Sequence, residues 1–372
     1  MKNIIKEGLA KIKLQNGVFL NNKMKICRDI SSLWISTLPK INILVDGFCA
    51  SGIRGIRYKK ENENVNQLIF FDRSKKAIEN LKMNLKLNNL KAETFEGNSN
   101  KFFVNYQNFD FCEIDPFGSP AFYLDLMFWA DWKQKQRYVS ITATDTAVLC
   151  GAHKNAAIKI YNSKTINNFA CHEIGLRILL GFIARTASKY NWAIYPQVSI
   201  SKLHFFKVLL KIKKSATQAK NSSLAASAYY IFCPFCLNQK IVWQPSFIDK
   251  CEKCSNKIVW AGPLWGDKIY ENSTIEKMKE NYLKKEFLKD KEVEKFLNYY
   301  SQESKINNFY FDIHSICKKY KLGLVDMESI IKELKENGFQ ASRTTFNDLA
   351  IRTNAQIEDL VLIIQKIKKA KN

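Results

Sequence analysis

The residues most suggestive of chemistry are the hexapeptide DPFGSP at positions 115–120. A carboxylate that accepts a hydrogen bond from an exocyclic amine localises the nitrogen lone pair and takes the amine proton after alkylation. We therefore interpret Asp115 as the catalytic carboxylate, with the carbonyl of Pro116 accepting the second N–H. Phe117 is expected to stack on a nucleobase, a contact worth roughly 1–3 kcal/mol. The alternative is a strand that ends at Asp-Pro and continues into an ordinary turn.

Two C-x-x-C pairs separated by 14 residues form a second chemical pattern: Cys233 with Cys236, and Cys251 with Cys254. This spacing predicts a tetrahedral zinc site with a structural role, because no open ligand position is indicated. Redox dithiols are disfavoured, since neither pair opens a helix in a βαβ unit. The four histidines are too dispersed for a second metal site, and His172 is assigned a structural role. The remaining cysteines are expected to be packing residues: Cys27, Cys49, Cys112, Cys150, Cys171 and Cys317.

A doubly wound, mostly parallel α/β sheet is predicted to position the hexapeptide. Strands alternate with helical segments, one of which is expected to begin after an N-cap at Ser74 and to extend through Leu87. The predicted strands are residues 41–45, 68–71, 92–95, 109–114 and 138–143.

Four acidic side chains follow predicted strands at their carboxyl ends: Asp46, Asp72, Asp115 and Asp145. Ligands of open α/β sheets bind at this edge. We therefore include Asp46 and Asp72 among the cofactor-binding residues.

The turn after the first of these strands indicates which nucleoside cofactor would bind. Asp72 is placed to accept both ribose hydroxyls of an adenosine. The turn reads GFCASGIRG and departs from the G-x-G-x-x-G pattern, which lets a backbone approach a pyrophosphate. S-adenosyl-L-methionine has an adenosine and no phosphate, so it suits this turn better than a dinucleotide.

The composition favours a polyanionic partner. The 372 residues include 58 Lys and Arg against 35 Asp and Glu, a formal net charge of +23. This excess favours nucleic acid as the partner; a general bias towards Lys, Asn and Ile is the alternative explanation.

Ten cysteines without a signal peptide indicate the reducing cytoplasm. The longest apolar stretch, residues 176–184, is interrupted by Arg177 and too short to span a bilayer.

The second half of the chain is expected to be a separate, mixed region. The Ser- and Ala-rich residues 214–228 resemble a linker or exposed loop, and residues 207–214 (KVLLKIKK) fit a late strand whose lysines face solvent or phosphate. Arg343 and Arg352 are candidate phosphate contacts. Further helices are predicted at residues 275–300, 312–320, 326–337 and 356–368.

Together these segments resemble the tRNA guanine-26 N2-dimethyltransferases over nearly the whole chain. DPFGSP followed by TATDTAVLCG is the most specific part of the resemblance. The segments that match are residues 19–29, 51–57 (SGIRGIR), 113–120 (EIDPFGSP), 142–151 (TATDTAVLCG), 172–180 (HEIGLRILL), 262–265 (GPLW) and 342–344 (SRT).

The resemblance implies a class I methyltransferase domain at residues 1–214 and a C-terminal domain at 215–372, with a zinc ribbon at 229–262 and a basic α+β module. Asp115 would be the catalytic acid residue. Lys207 stands where the family usually has arginine, and Asn98 where it usually has aspartate. The implied cofactor contacts are Arg28 to the methionine carboxylate, Arg54 in the pocket wall, Asp72 to the ribose, and Asn98 with Ser99 against the adenine.

The expected function is transfer of one or two methyl groups from S-adenosyl-L-methionine to N2 of guanine 26 in tRNA. Because a paired guanine hides N2 in the minor groove, the target must be unpaired or flipped out. An adenine-N6 methyltransferase, and a zinc-ribbon RNA-binding protein with an inactive methyltransferase-like domain, are the alternatives. We expect Zn²⁺ as a structural metal, tRNA as partner, no membrane association, no obligate protein partner, and a cytoplasmic location.

Overall fold

The computed structural model describes residues 4–129, 134–243 and 249–371. Its strands are β1 (Ile5–Glu7), β2 (Ala10–Ile12), β3 (Ile41–Gly47), β4 (Val65–Asp72), β5 (Glu93–Glu96), β6 (Phe111–Ile114), β7 (Gln136–Ala143), β8 (Trp192–Lys202), β9 (Phe205–Lys214), β10 (Ala228–Phe232), β11 (Gln239–Val242), β12 (Val259–Leu264), β13 (Tyr310–Asp312), β14 (Ala341–Arg343) and β15 (Ala350–Thr353).

The helices are α1 (Lys25–Ile35), α2 (Ile53–Glu61), α3 (Lys75–Leu87), α4 (Ser99–Asn105), α5 (Ala121–Trp129), α6 (Thr146–Leu149), α7 (Lys154–Tyr161), α8 (Cys171–Ser188), α9 (Ala216–Ala225), α10 (Asn272–Leu283), α11 (Lys291–Glu303), α12 (Ile313–Lys319), α13 (Met327–Glu336) and α14 (Ile357–Lys371). Short 3-10 helices lie at Asn22–Met24 and Glu286–Leu288.

A seven-stranded sheet in the order β5-β4-β3-β6-β7-β9-β8 organises the first half of the chain. Strands β3 to β7 pair in parallel, whereas β9 is antiparallel to both β7 and β8. The sequence prediction of a doubly wound, mostly parallel sheet is confirmed. The Ser74 cap is confirmed as well, because its hydroxyl accepts a hydrogen bond from Ala77 N at the start of α3.

Strand β9 contains the basic segment 207–214, as predicted, but the expected orientation of its first lysine is wrong. Lys207 is buried, with 1% exposure, and its ammonium group contacts Glu113 of β6. The ion pair explains the difference, since a partnered lysine can lie inside a sheet from which an unpaired one would be excluded.

The predicted linker over residues 214–228 is also wrong, because α9 occupies most of it. The helix starts where the hydroxyl of Ser215 accepts a hydrogen bond from Gln218 N, and it packs on α8 and β8. Ser222 is buried and accepts a hydrogen bond from Ile194 N of β8. The small side chains that resemble a linker let this helix lie close to the sheet.

The C-terminal half contains two small antiparallel sheets, β11-β10-β12 and β13-β15-β14. The predicted helices of this half are confirmed as α10 to α14. Helix α13 ends at Asn337 followed by Gly338, whose φ of +83° is the conformation that favours glycine at a helix end.

Arg352 on β15 is wrong as a phosphate contact, because it is 1% exposed and ion-pairs with Glu173 of α8 and Glu303 of α11. An isolated buried guanidinium would be costly, so the two carboxylates account for its position. The other phosphate candidate, Arg343, is half-buried and donates to the carbonyl of Asp348.

None of the helices in the described ranges combines the length and the apolar character needed to cross a bilayer.

Candidate active site and zinc ribbon

The carboxyl edge of the large sheet brings together acidic residues from four strands, as the sequence predicts. Asp46 is the next-to-last residue of β3, and Asp72 is the last residue of β4. Asp115 directly follows β6, and Asp145 lies two residues beyond β7. The edge therefore combines carboxylates with the turns that follow each strand, which is where an open α/β sheet binds its ligand.

The turn after β3 is wound tightly around Asp72. Phe48, Ala50 and Gly52 all have positive φ, at +56°, +46° and +78°. This path aims Ala50 N at Asp72 Oδ2, 2.9 Å away, while Asp72 Oδ1 accepts from Ser74 N at 2.8 Å. A Cβ at Gly47 would lie 2.5 Å from the ring of Phe71 on the neighbouring strand β4, so only glycine leaves room for that ring here.

Arg54 of α2 connects two of the acidic strand ends. Its Nε lies 3.4 Å from Asp46 Oδ1, its Nη2 donates to the carbonyl of Phe48 at 3.0 Å, and its Nη1 ion-pairs with Asp115 Oδ2. Asp46 is fully buried, and burial raises its pKa to about 6 even though the Arg54 guanidinium opposes that shift. Asp46 is thus inaccessible to solvent, and Arg54 connects its carboxylate to that of Asp115 at the edge of the sheet.

The hexapeptide at residues 115–120 is fixed by the loop that follows β7. Gly118 N donates to Thr144 Oγ1 at 2.7 Å, and Thr144 N donates to the Gly118 carbonyl at 3.0 Å. Gly118 has a φ of +78°, so the turn needs a residue without a Cβ penalty in the left-handed region. This reciprocal pair leaves Phe117 at the tip of the turn.

A hydrogen-bonded chain holds the other end of the hexapeptide. The Ser119 and Tyr161 hydroxyls are 2.7 Å apart, and Tyr161 Oη donates to both carboxylate oxygens of Asp145 at 2.9 Å. Burial raises the pKa of Asp145, opposed by these hydrogen bonds. Thr144 and Asp145, which follow β7, therefore hold the DPFGSP turn in place, and we call these two residues the clamp.

Phe117 projects into solvent with 79% exposure, and Phe19 packs edge-on against it. The ring centroids are 5.1 Å apart at an interplanar angle of 73°, and Phe19 is itself 50% exposed. The sequence identified Phe117 as a stacking residue but gave Phe19 no role beyond the start of a matching segment. Because Phe19 is almost a hundred residues away in the chain, only the fold reveals the pair.

A buried ion pair joins β6 to β9 within the large sheet. Glu113, two residues before Asp115, contacts Lys207 of β9 through Oε1, and Tyr58 donates to its Oε2 at 3.1 Å. Ser140 of β7 donates to Oε1 at 3.1 Å. The group ties β6 to its neighbours close to Asp115.

Arg28 is already engaged by an acidic partner that the sequence did not single out. Its Nε and Nη2 each donate to one carboxylate oxygen of Glu7 at 2.6 Å, and Nη1 donates to the carbonyl of Asn21 at 3.1 Å. Arg57 contacts Glu7 as well, at 2.7 Å, and the two guanidinium groups lower the pKa of Glu7 against the effect of burial.

The segment after β5 places Asn98 and Ser99 at the start of α4. The amide oxygen of Asn98 caps the helix by accepting from Asn100 N at 2.8 Å, and the residue is exposed. Ser99 is buried beside it. The β4 and β5 ends are adjacent in the sheet, so these residues flank the same edge as Asp72.

The four predicted zinc ligands converge. Cys233 Sγ lies 3.5 Å from Cys254 Sγ, and Cys236 Sγ lies 3.6 Å from Cys251 Sγ. A tetrahedral zinc with bonds of about 2.3 Å requires sulfur separations of about 3.8 Å. The donor set therefore fits a structural zinc ion.

The two cysteine knuckles have the same backbone conformation. In each, the residue after the second cysteine has a positive φ, +61° at Leu237 and +58° at Ser255, and its N–H donates to the carbonyl of the first cysteine at 2.9 Å. The knuckles follow β10 and precede β12. This repeat presents two thiols from each side to one point.

The chain is similar to known proteins over nearly its whole length. A family model described as N2,N2-dimethylguanosine tRNA methyltransferase matches residues 2–365. The chain is 34% identical to the tRNA (guanine(26)-N(2))-dimethyltransferase of Methanobrevibacter smithii over 98% of each chain. It is 32% identical to the protein of the same name from Archaeoglobus fulgidus, over 98% of this chain and 99% of that one.

Among solved structures, the chain is similar to Trm1 from Pyrococcus horikoshii in complex with S-adenosyl-L-methionine. The TM-score is 0.85 and the identity 28%, over 97% of this chain and 99% of that chain. The similarity therefore covers the catalytic sheet and the C-terminal half alike.

Proposed function

This chain belongs to the N2,N2-dimethylguanosine tRNA methyltransferase family, and we propose that it transfers methyl groups to N2 of guanine 26 in tRNA, with Asp115 accepting the amine proton. S-adenosyl-L-methionine supplies the electrophilic methyl group. The observation that carries the assignment of Asp115 is its position immediately after β6, two residues before the exposed ring of Phe117.

Asp115 acts on the amine through one carboxylate oxygen. Oδ2 is held by Arg54, so we assign Oδ1 to the hydrogen bond from N2. A positioned carboxylate of this kind raises the electron density on nitrogen and receives the proton. The carbonyl of Pro116 is assigned to the second N–H, which would align the nitrogen lone pair for in-line attack.

Phe117 and Phe19 are proposed to hold the guanine. Both rings are exposed and adjacent, and aromatic faces bind an unstacked base. The guanine must leave its pair to reach this site, because N2 of a paired guanine faces the minor groove.

The cofactor-binding residues are proposed along the neighbouring strand ends. Asp72 is assigned to the ribose, and Asn98 and Ser99 to the adenine. Arg28 is assigned to the methionine carboxylate, using an N–H that its pair with Glu7 leaves available. Arg54 shapes the pocket wall, and Asp46 contributes by holding Arg54.

The setting of the reaction completes the proposal. A formal charge of +23 suits a tRNA substrate, and the cytoplasm is the proposed location, with no obligate protein partner proposed.

Asp115→Asn tests the catalytic assignment. The variant keeps the shape of the side chain but has a poorer proton acceptor, so methyl transfer from labelled S-adenosyl-L-methionine to tRNA should fall roughly 10²–10⁴-fold, while calorimetric binding of the cofactor persists. Asp125→Asn, the same change at an exposed residue of α5 that pairs with Lys189, is the control.

Nucleoside analysis of the product separates the alternatives. N2-methylguanosine and N2,N2-dimethylguanosine are expected. N6-methyladenosine in their place would show that the enzyme methylates adenine. Wild-type activity in Asp115→Asn would show that the carboxylate has no part in the mechanism.

A further inference from the structure

Two cysteines and a histidine that are not ribbon ligands meet where α6 and α8 approach each other. The ligand atoms of Cys150, Cys171 and His172 all lie within 4.8 Å of one another. Cys150 Sγ is 3.9 Å from His172 Nδ1. All three residues are half-buried, unlike Cys27, Cys49 and the other packing cysteines of the large sheet, which are buried.

The backbone is shaped to bring these residues together. Cys150 ends the short helix α6, whereas Cys171 and His172 open α8. A Cβ at Gly175 would lie 3.0 Å from the carbonyl oxygen of Leu149, and one at Gly151 would lie 3.0 Å from backbone carbon of Ile166. Glycine at 175 therefore permits the approach of α6 to α8, and glycine at 151 lets the segment before α8 pass close to the end of α6.

We propose that Cys150, Cys171 and His172 bind a thiophilic metal ion, represented by Zn²⁺, at a site separate from the ribbon. Tetrahedral bonds of about 2.3 Å to sulfur and 2.0–2.1 Å to nitrogen give S···N separations of about 3.6 Å, so the observed 3.9 Å needs a shift of a few tenths of an ångström. The three ligands leave the fourth position to water.

The position of Cys171 in its helix favours a metal-binding thiolate. Cys171 lies in the first turn of an eighteen-residue helix, where the helix dipole stabilises a thiolate. Metal binding displaces the thiol protons to solvent, and no electron transfer is involved. His172 is fixed by edge-on packing against Phe206, with ring centroids 6.2 Å apart.

The site would join two elements that support the catalytic loop. Helix α6 directly follows the clamp formed by Thr144 and Asp145, and α8 carries Glu173, the anchor of the C-terminal module. An ion bound here holds the clamp against α8. The proposed role is therefore structural, at the rim of the active site.

Zinc content of the full-length protein tests the proposal. After growth with zinc and removal of loosely bound metal, wild type should retain two equivalents per chain, one in the ribbon and one at the new site. Cys171→Ser and His172→Ala should each retain one. Cys317→Ser, which replaces a buried cysteine of α12, should retain two.

A cobalt titration of the metal-free protein provides the second measurement. The sulfur-to-cobalt absorption should saturate at two equivalents in wild type and at one in His172→Ala, a variant that keeps all ten thiols. A single equivalent in wild type, or two in both ligand variants, would overturn the proposal. A disulfide between Cys150 and Cys171 would also overturn the proposal, if peptide mapping found it in metal-free protein that had been isolated without reductant.

Discussion

Arg352 of β15 and Glu173 of α8 form a two-pronged ion pair, with Nη1 to Oε1 and Nη2 to Oε2 both at 3.0 Å. Glu173 also contacts Arg177 at 2.9 Å, and Arg352 contacts Glu303 at 3.1 Å. All four side chains are fully buried. The network joins the C-terminal module to the long helix beside the catalytic sheet, so it fixes the position of one half of the molecule relative to the other.

Arg352→Met should lower the free energy of unfolding by about 3–5 kcal/mol, because it leaves Glu303 buried without its guanidinium partner. Denaturant unfolding measures the change. Arg343→Met on the adjacent strand β14 is the matched control and should cost less than about 1 kcal/mol, since Arg343 is half-buried and donates a hydrogen bond to the carbonyl of Asp348. Equal losses in the two variants would contradict the role of the network.

Phe19→Ala should reduce kcat/KM for tRNA roughly 5- to 150-fold, the equivalent of about 1–3 kcal/mol of lost stacking. Affinity for S-adenosyl-L-methionine should stay unchanged. Phe287→Ala, at a half-buried phenylalanine in the C-terminal half, should leave kcat/KM at the wild-type value. If Phe19→Ala weakened cofactor binding instead, the ring would belong to the cofactor pocket.

Lys207→Met should destabilise the protein by about 3–5 kcal/mol, because it leaves the buried charge of Glu113 on β6 without its cationic partner. Lys207→Arg restores a cation and should retain methyl transfer. Lys211→Met, the same change at a half-buried position of β9, should have a small effect on unfolding. Urea unfolding of the three variants decides the matter, and a stable, fully active Lys207→Met would show that the pair is dispensable.

Asp46→Asn should change how stability depends on pH. Burial raises the pKa of Asp46 from an ordinary 3.8 to about 6, so the folded state favours its protonated form. That contribution is present below about pH 4 and is lost as the pH rises through 6, which amounts to at most ~3 kcal/mol.

Unfolding of wild type and Asp46→Asn from pH 4 to 7.5 measures this effect. The stability of wild type relative to the variant should fall across that range. Asp125→Asn, at an exposed ion pair, should show a nearly constant difference. Parallel curves for Asp46→Asn would mean that the carboxylate is ionised throughout.

The chain sequence specifies its local elements well. Apolar runs predicted the strands of the parallel sheet, and Ser74 marked the start of α3. The spacing of two cysteine pairs predicted a zinc site whose sulfurs converge to 3.5 and 3.6 Å. These features depend on neighbours in the chain, so their patterns are visible without a structure.

Basic and small residues were harder to interpret, because their environment depends on distant partners. In the sequence, Lys207 and Arg352 look like the basic residues that contact phosphates. In the structure, each is buried against a glutamate from another element. Residues 214–228 have the composition of a linker, yet they form a helix on the sheet.

The sequence alone determined the alternation of strands and helices in the parallel part of the large sheet, the carboxylates at its strand ends and the four cysteines of the ribbon, because periodicity, capping and short spacings encode them. Only the tertiary structure decided that Phe19 meets Phe117, that Arg54 reaches Asp115, and that Cys150 approaches His172. Those contacts join residues far apart in the chain, and it is the packing of whole elements that sets their distances.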